Sequence, residues 1–296
     1  MQETGILKIS VIASLCFAVF GVTWGLIVDS GMIIFDGVYS LISVALSGLS
    51  LWILRQIALA DQDNRFPFGK AHFEPLLITF KSLTLIGMCS FSAINAVSEL
   101  LNGGREVDPG SAILYALIST IGCFGLTMLL QQKNKHIESS LLEAEKNQWL
   151  GDLLLSVAVL IGFCIAWFFT SNEYSDLVPL IDPAMVILAS IIFIVFPIKS
   201  LIFSLKQVIY HQTNTPSTQA IHQAIEEIAS ELGATTKVRM VLVGREVNIE
   251  ANFLMKNDNL SIADMDSIRD RIAGTAEQHY KQHWININFT EKTHWI

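Results

Sequence analysis

Charged residues are scarce in this chain of 296 residues, since Asp, Glu, Lys and Arg make up 16% of it while 52% is hydrophobic. A soluble globular protein carries roughly 25% charged residues. The few charges are also unevenly placed, because long apolar runs fill the first two thirds of the chain and the last third is polar. This distribution predicts a membrane domain followed by a soluble one.

Several motifs are missing as well. There is no basic stripe and the formal net charge is -8, so we expect no nucleic-acid partner. No G-x-x-x-x-G-K-[ST] loop, H-E-x-x-H motif or nucleophile elbow occurs, which argues against ATP-driven pumping and against an enzyme. We therefore expect no catalytic residue and no resident cofactor. The cysteines lie apart in apolar runs without a C-x-x-C pair, which predicts buried free thiols at Cys16, Cys89, Cys123 and Cys164.

Six apolar segments are long enough to cross a bilayer core of about 30 Å, which takes about 20 helical residues. Asp182-Pro183 is expected to open the sixth segment, because proline suits the first helical turn. Lysine and arginine fall almost entirely on one side of this threading, so the positive-inside rule places both termini in the cytoplasm. The sequence thus predicts an integral membrane protein with spans near residues 6–28, 31–54, 76–100, 111–131, 149–170 and 183–205.

Beyond residue 208 the pattern changes to short amphipathic elements. A helix over 216–232 is followed by two alternating strands, 237–243 and 247–253, around a turn at Gly244-Arg245. Ser261 approximates a capping box with the residue three positions later and starts a second helix, and residues 283–289 form a last strand. The order α-β-β-α-β predicts a cytoplasmic, ferredoxin-like α+β domain over 209–296, after an all-α membrane domain over 1–208.

Ionisable groups inside spanning helices are costly and need an explanation. Asp36 with Ser40, and Gln148 with Asp152, are each spaced i, i+4, which puts each pair on one helix face. Two interpretations are open: the four residues form a site, or the aspartates lie among headgroups while the other two bond between helices. Lys81 is either a residue that snorkels to the interface or a buried counter-charge for one of the aspartates.

Three segments carry a resemblance to the cation diffusion facilitator family, which extends over nearly the whole chain together with the six helices and the αββαβ tail. The first is residues 30–36 with Ser40. The second, residues 65–76, is similar to the family's R-[YF]-x-x-G-[KR]-x-E-x-L loop, with a two-residue difference before the glutamate. The third, residues 144–152, stands where the family has A-[DE]-x-x-H-x-x-x-D.

The resemblance implies one metal ion between helices two and five, held by D-x-x-x-D or H-x-x-x-D on the former and H-x-x-x-D on the latter. Carried over by residue, the expected metal ligands are Asp36, Ser40, Gln148 and Asp152. Ser40 replaces a second acidic residue and Gln148 replaces a histidine, so every donor is an oxygen. Manganese, iron(II) or magnesium accept such donors more readily than zinc does; manganese and iron(II) are favoured, and zinc is a further candidate.

The resemblance also implies a homodimeric secondary transporter in the bacterial inner membrane that exports a divalent cation by proton antiport. A second hypothesis is a degenerate family member that no longer transports and acts as a metal sensor or scaffold, which Ser40, Gln148 and Lys81 support. The family's cytoplasmic metal site uses strand histidines. Here Asn252 and Asn288 take those places, so little zinc is expected in the C-terminal domain.

Overall fold

The structure, a computed structural model, describes residues 2–58, 66, 69–137, 140–170, 175–256 and 260–296. Six long helices come first: α1 (Gln2–Val28), α2 (Gly31–Ala58), α3 (Phe73–Leu101), α4 (Pro109–Ile137), α5 (Ser140–Thr170) and α6 (Val178–Val208). Shorter elements follow: α7 (Pro216–Glu231), β1 (Thr235–Val243), β2 (Glu246–Leu254), α8 (Ile262–His279) and β3 (Gln282–Thr290). Each long helix contains a stretch apolar enough to cross a membrane. The expected class, a six-helix membrane part and an α+β part, is confirmed.

By their internal contacts the residues form two compact units, 1–50 with 81–198 and 51–80 with 199–296. The boundaries between the units fall within the long helices α2, α3 and α6. The domain boundary that the sequence pattern predicts after residue 208 stays a prediction.

Helix α6 begins earlier than its proline suggests. It starts at Val178 and contains Pro183, so the prediction that Asp182-Pro183 opens this helix is wrong. A proline has no amide hydrogen to donate to the carbonyl four residues before it. The Pro179 carbonyl instead accepts a hydrogen bond from the Arg105 amide, with a nitrogen–oxygen distance of 2.8 Å. The loop before α4 thus replaces the missing helical bond, and α6 continues through the proline.

Asp182 on α6 caps the N-terminus of α2 in the first unit. Its side chain is buried and accepts hydrogen bonds from the Gly31 amide at 2.8 Å, the Met32 amide at 3.2 Å and the Ser30 hydroxyl at 2.6 Å. The first amides of a helix have no partner within it, and a negative charge there is favourable. This cap fixes the start of the helix that carries Asp36.

Helices α1 and α2 cross at two glycines, Gly21 and Gly37. A Cβ atom on Gly37 would clash with the Val22 nitrogen, and one on Gly21 would lie 2.8 Å from the Tyr115 hydroxyl of α4. Small residues allow membrane helices to approach this closely. The crossing therefore brings α4 up to the segment of α2 around Asp36.

The second unit contains the α+β part. Strand β1 pairs antiparallel with β2, and β2 pairs parallel with β3, in the order β1-β2-β3. Alternate residues of β2 from Val247 to Phe253 are fully buried in a core shared with α7 and α8. Ser261 and Asp264 form the capping box of α8. The expected αββαβ order and this capping box are confirmed.

The turn between β1 and β2 contacts helices of the same unit. Gly244 has a φ of +61°, and a Cβ atom there would lie 2.9 Å from the Ala71 carbonyl oxygen. The Gly244 amide donates to the Gln207 side-chain carbonyl at 2.8 Å. Arg245 forms an ion pair with Glu74. We call these five residues the turn contact.

Candidate functional site

A cavity of about 670 Å³ lies within the first unit, and each of the six long helices contributes to its wall. All four predicted site residues line it: Asp36 and Ser40 from α2, and Gln148 and Asp152 from α5. The structure therefore brings together the residues that the sequence singled out. Their role as metal ligands stays a prediction.

The donors of this cavity are mostly oxygen. Asp36, Ser40 and Asp152 are partly buried, whereas Gln148 is exposed. Among the described residues, no three His, Cys, Asp or Glu side chains come together as a metal-binding group. An ion held by the two carboxylates would therefore complete its coordination with hydroxyl and amide oxygens.

Helix α4 forms a further wall that the sequence analysis missed. Tyr115, Ser119 and Cys123, spaced i, i+4 and i+8, all line the cavity. The buried Tyr115 hydroxyl donates a hydrogen bond to the Asp36 carboxylate at 2.8 Å, and its ring stacks on Phe20 with centroids 5.3 Å apart. The helical spacing of these polar residues could have revealed the wall, but the apolar stretch of α4 carries no charge to draw attention to it.

The same wall contains a buried hydroxyl, that of Ser119. One turn further along α4, the Cys123 sulfur lies 3.9 Å from the hydroxyl of Ser156 on α5. The Ser119 side chain lies in the cavity wall one turn after Tyr115.

The cysteine prediction is confirmed only in part. All four thiols are free, and Cys89 and Cys123 are buried. Cys16 and Cys164 are exposed, so their predicted burial is wrong. They lie on helices with many exposed apolar side chains, the surface that would face lipid.

The start of α5 is held by a hydrogen-bond chain to α1. Buried Trp149 donates from its indole nitrogen to the Ser10 hydroxyl at 2.7 Å, and Ser10 donates to the Glu145 carboxylate at 2.6 Å. Trp149 is the neighbour of Gln148 in sequence. The contact ties this part of α5 to α1, and Gln148, Trp149 and Asp152 all line the cavity.

Asn252 and Asn288, which the family resemblance implies replace strand histidines, bind each other. Asn252 and Asn288 are partners in the β2–β3 register, and the Asn288 amide nitrogen donates to the Asn252 side-chain oxygen at 3.0 Å. The Asn252 amide nitrogen donates in turn to Glu250 at 3.1 Å. The two amides are therefore engaged with protein partners in this sheet.

Six long apolar helices around a cavity lined by two carboxylates define an integral membrane protein with a polar cavity among its helices. The family model described as the cation efflux transmembrane domain matches residues 7–207. The chain belongs to the cation efflux family, and the resemblance to cation diffusion facilitators is confirmed.

Curated relatives are similar over part of their length. The manganese efflux system protein MneP of Bacillus subtilis (strain 168) is 27% identical over 187 residues, which cover 62% of this chain and 62% of the relative. The cation-efflux pump FieF of Salmonella arizonae is 25% identical over 130 residues, or 44% of this chain and 43% of the relative. FieF of Salmonella newport gives the same figures. The matched segments thus span less than two thirds of these relatives.

Proposed function

We propose that this protein is a secondary transporter that exports a divalent metal cation. The observation that carries the proposal is that Asp36 of α2 and Asp152 of α5 line one cavity in a six-helix membrane unit. Carboxylates inside spanning helices are costly and mark ion pathways. Membership of the cation efflux family, and relatives named for manganese efflux and cation efflux, support it.

The proposed ligands are Asp36, Ser40, Gln148 and Asp152. Two carboxylates, a hydroxyl and an amide suit manganese and iron(II) better than zinc, which prefers nitrogen and sulfur. The name of the Bacillus relative points in the same direction. Zinc is a third candidate substrate.

In the proposed cycle the cavity opens alternately to the two sides of the bacterial inner membrane, with both termini in the cytoplasm. The carboxylates hold the metal ion when they are ionised and give it up when protons replace it, which couples export to an inward proton gradient. The Tyr115 hydroxyl holds the Asp36 carboxylate in place through its hydrogen bond. The proposal includes a homodimer, as the family resemblance implies, and it requires no resident cofactor and no enzymatic step.

The test is metal flux in sealed proteoliposomes, measured for manganese, iron(II) and zinc with and without a pH difference. We expect the parent to move manganese and iron(II). Asp36→Asn and Asp152→Asn should each abolish the flux, whereas Asp176→Asn, at an exposed position outside the cavity, should leave it unchanged. Near-normal flux in both cavity variants would show that the site lies elsewhere.

The second candidate is a family member that binds metal without transporting it. Lys81 lines the cavity, and a resident cation opposes the entry of another. Equilibrium binding that depends on Asp36 and Asp152, without flux for any of the three ions, would favour this sensor or scaffold role over export.

A further inference from the structure

The α1–α2 turn, the α3–α4 connection and the first turn of α6 meet at one end of the first unit, which we call the connection end. Arg105, between α3 and α4, donates its amide to the Pro179 carbonyl of α6 at 2.8 Å. Its guanidinium donates a hydrogen bond to the Glu99 carboxylate of α3 and lies 3.6 Å from the carboxylate of Asp29 in the α1–α2 turn. One arginine thus joins several parts of this end.

The start of α2 lies against the same arginine. A Cβ atom on Gly31 would lie 3.1 Å from the Asp182 carboxylate and 3.5 Å from the Arg105 guanidinium, so the cap of α2 and the arginine flank one glycine. The Arg105 and Glu99 side chains are only 24% and 26% exposed. Partly buried charges are screened less by water and salt than exposed ones, so this ion pair holds its two elements together more firmly than a surface pair would.

A packed layer separates the connection end from the cavity. The lining residues of α2 run from Asp36 to Ser47, and about 8 Å of helix lies between Gly31, where α2 begins, and Asp36. Met32 and Ile33 of α2 and Ala112 of α4 belong to one core cluster, and each is at most 1% exposed. The cavity is therefore closed toward the connection end.

The lining becomes more exposed with distance from the connection end. Tyr115 and Ser119, on the first half of α4, are buried. Ser47 lies toward the end of α2, and Asn147 and Gln148 lie near the start of α5; all three line the cavity and are exposed. The structure thus corresponds to a state that is closed at the connection end and open at the opposite end, which faces the cytoplasm in the proposed orientation.

We propose that the Arg105 side chain is the latch of the extracytoplasmic gate. It holds the connection end closed while the cavity faces the cytoplasm, and it releases Glu99 and Asp29 when the cavity opens outward. A contact made in only one of two states shifts the equilibrium toward that state by its own free energy. Loss of the latch should therefore raise the population of the outward-open state. This inference rests on the proposed function, since alternate opening is part of the export cycle.

The test is the labelling rate of a reporter thiol in the full-length protein, measured in right-side-out and inverted membrane vesicles. Ser43→Cys places the reporter in the cavity wall, a permanently charged methanethiosulfonate does not cross the bilayer, and peptide mass spectrometry identifies each labelled cysteine. We expect rapid labelling of the reporter in inverted vesicles and slow labelling in right-side-out vesicles. Adding Arg105→Gln should raise the right-side-out rate about five-fold, the upper end of the effect of an ion pair that retains some exposure.

Matched variants assign the effect to the contact. Glu99→Gln removes the same ion pair from its other partner, so it should also raise the right-side-out rate, and the Arg105→Gln/Glu99→Gln double variant should add little to Arg105→Gln. Glu106→Gln changes the charge at the neighbouring, exposed position of the same connection and should label like the parent. The Arg105 amide still reaches Pro179 in all of these variants, because only side chains change.

The outcomes separate the latch from the proposed function. Cys89 is fully buried, so a rise in its labelling that matches the reporter's would mean that the whole bundle loosens, which overturns the inference. Equal labelling of the parent from both faces, or an unchanged rate in Arg105→Gln, overturns it as well. Labelling requires no metal ion: absence of flux for every metal contradicts export, whereas normal flux with an unchanged Arg105→Gln rate removes only the latch.

Discussion

Glu74 and Arg245 form an ion pair with a nitrogen–oxygen distance of 3.3 Å, although 171 positions separate them in the sequence. The Arg245 side chain is 66% exposed, and exposed ion pairs contribute about 0 to 1 kcal/mol. The neighbouring Gly244 is held more firmly, through its amide bond to Gln207 and its close approach to the Ala71 carbonyl. The stability of the turn contact therefore depends chiefly on the backbone of Gly244.

Two glycines with the same φ allow this dependence to be measured. Gly233 and Gly244 both have a φ of +61°, but a Cβ atom on Gly233 would meet nothing within 4 Å. Gly233→Ala should cost about 1 kcal/mol for the left-handed backbone alone. Gly244→Ala should lower the melting temperature further, because its Cβ would also clash with the Ala71 carbonyl oxygen. Thermal unfolding followed by circular dichroism checks this, and equal melting temperatures would contradict it.

The hydrogen bond from Tyr115 to Asp36 predicts an effect on transport. Tyr115→Phe keeps the ring stacked on Phe20 but removes the donor, and hydrogen bonds to charged groups contribute about 1.5–3 kcal/mol. We expect manganese flux to fall by roughly ten-fold or more. Tyr39→Phe is the matched control, since Tyr39 lines the same cavity and packs on Phe193 with centroids 4.8 Å apart. An equal loss in both variants would show that the Asp36 contact has no special role.

Ligand type predicts metal selectivity. Gln148→His introduces a nitrogen donor with an unperturbed pKa of about 6.5, so it should shift preference toward zinc and strengthen the dependence on the proton gradient. Ser40→Asp should raise the affinity for divalent ions by adding a negative charge to the site. Vesicle uptake of zinc, manganese and iron(II) with and without a pH difference tests both. If the parent already prefers zinc and Gln148→His leaves the ranking unchanged, ligand softness does not set selectivity.

The cap of α2 by Asp182 predicts that the protein loses stability when the carboxylate is removed. Asp182→Ala leaves the Gly31 and Met32 amides without an acceptor, and an unsatisfied buried group costs about 1–3 kcal/mol. The melting temperature of the purified protein should fall, with Asp182→Asn intermediate because it retains an acceptor oxygen. Asp176→Ala, at an exposed position, should melt like the parent. A melting temperature for Asp182→Ala that equals the parent's would rule out this cap as a stabilising contact.

The membrane helices follow from the sequence because crossing a bilayer requires long apolar runs. The αββαβ order follows because burial of one face of a helix or strand requires a hydrophobic period that is visible in the sequence. The polar faces Asp36–Ser40 and Gln148–Asp152 also follow, since a carboxylate in an apolar run is conspicuous and its i, i+4 partner defines a face. That the two faces meet in one cavity was implied by the family resemblance alone. The hydrophobic patterns and the polar faces depend on one helix at a time. They can be recognised without knowledge of how the helices meet.

The features that the sequence did not predict depend on contacts between helices. Tyr115 and Ser119 are ordinary residues in an apolar helix until the crossing at Gly21 brings α4 to Asp36. The predicted start of α6 is wrong because the helix accommodates Pro183 with the help of a distant residue. The Arg105 amide, far away in the sequence, donates to the Pro179 carbonyl that the proline cannot bond. The helix propensity of proline describes one position in the chain and does not include a contact with a distant residue.

The capping of α2 by Asp182 has a consequence for the order in which the chain is made. Gly31 and the carboxylate that binds its amide are 151 positions apart. While α2 enters the membrane during synthesis, the acceptor for its first amides has not yet been translated. The N-terminal end of α2 therefore relies on water or headgroups until α6 arrives, and the native position of Asp36 is secured only when the last spanning helix is in place.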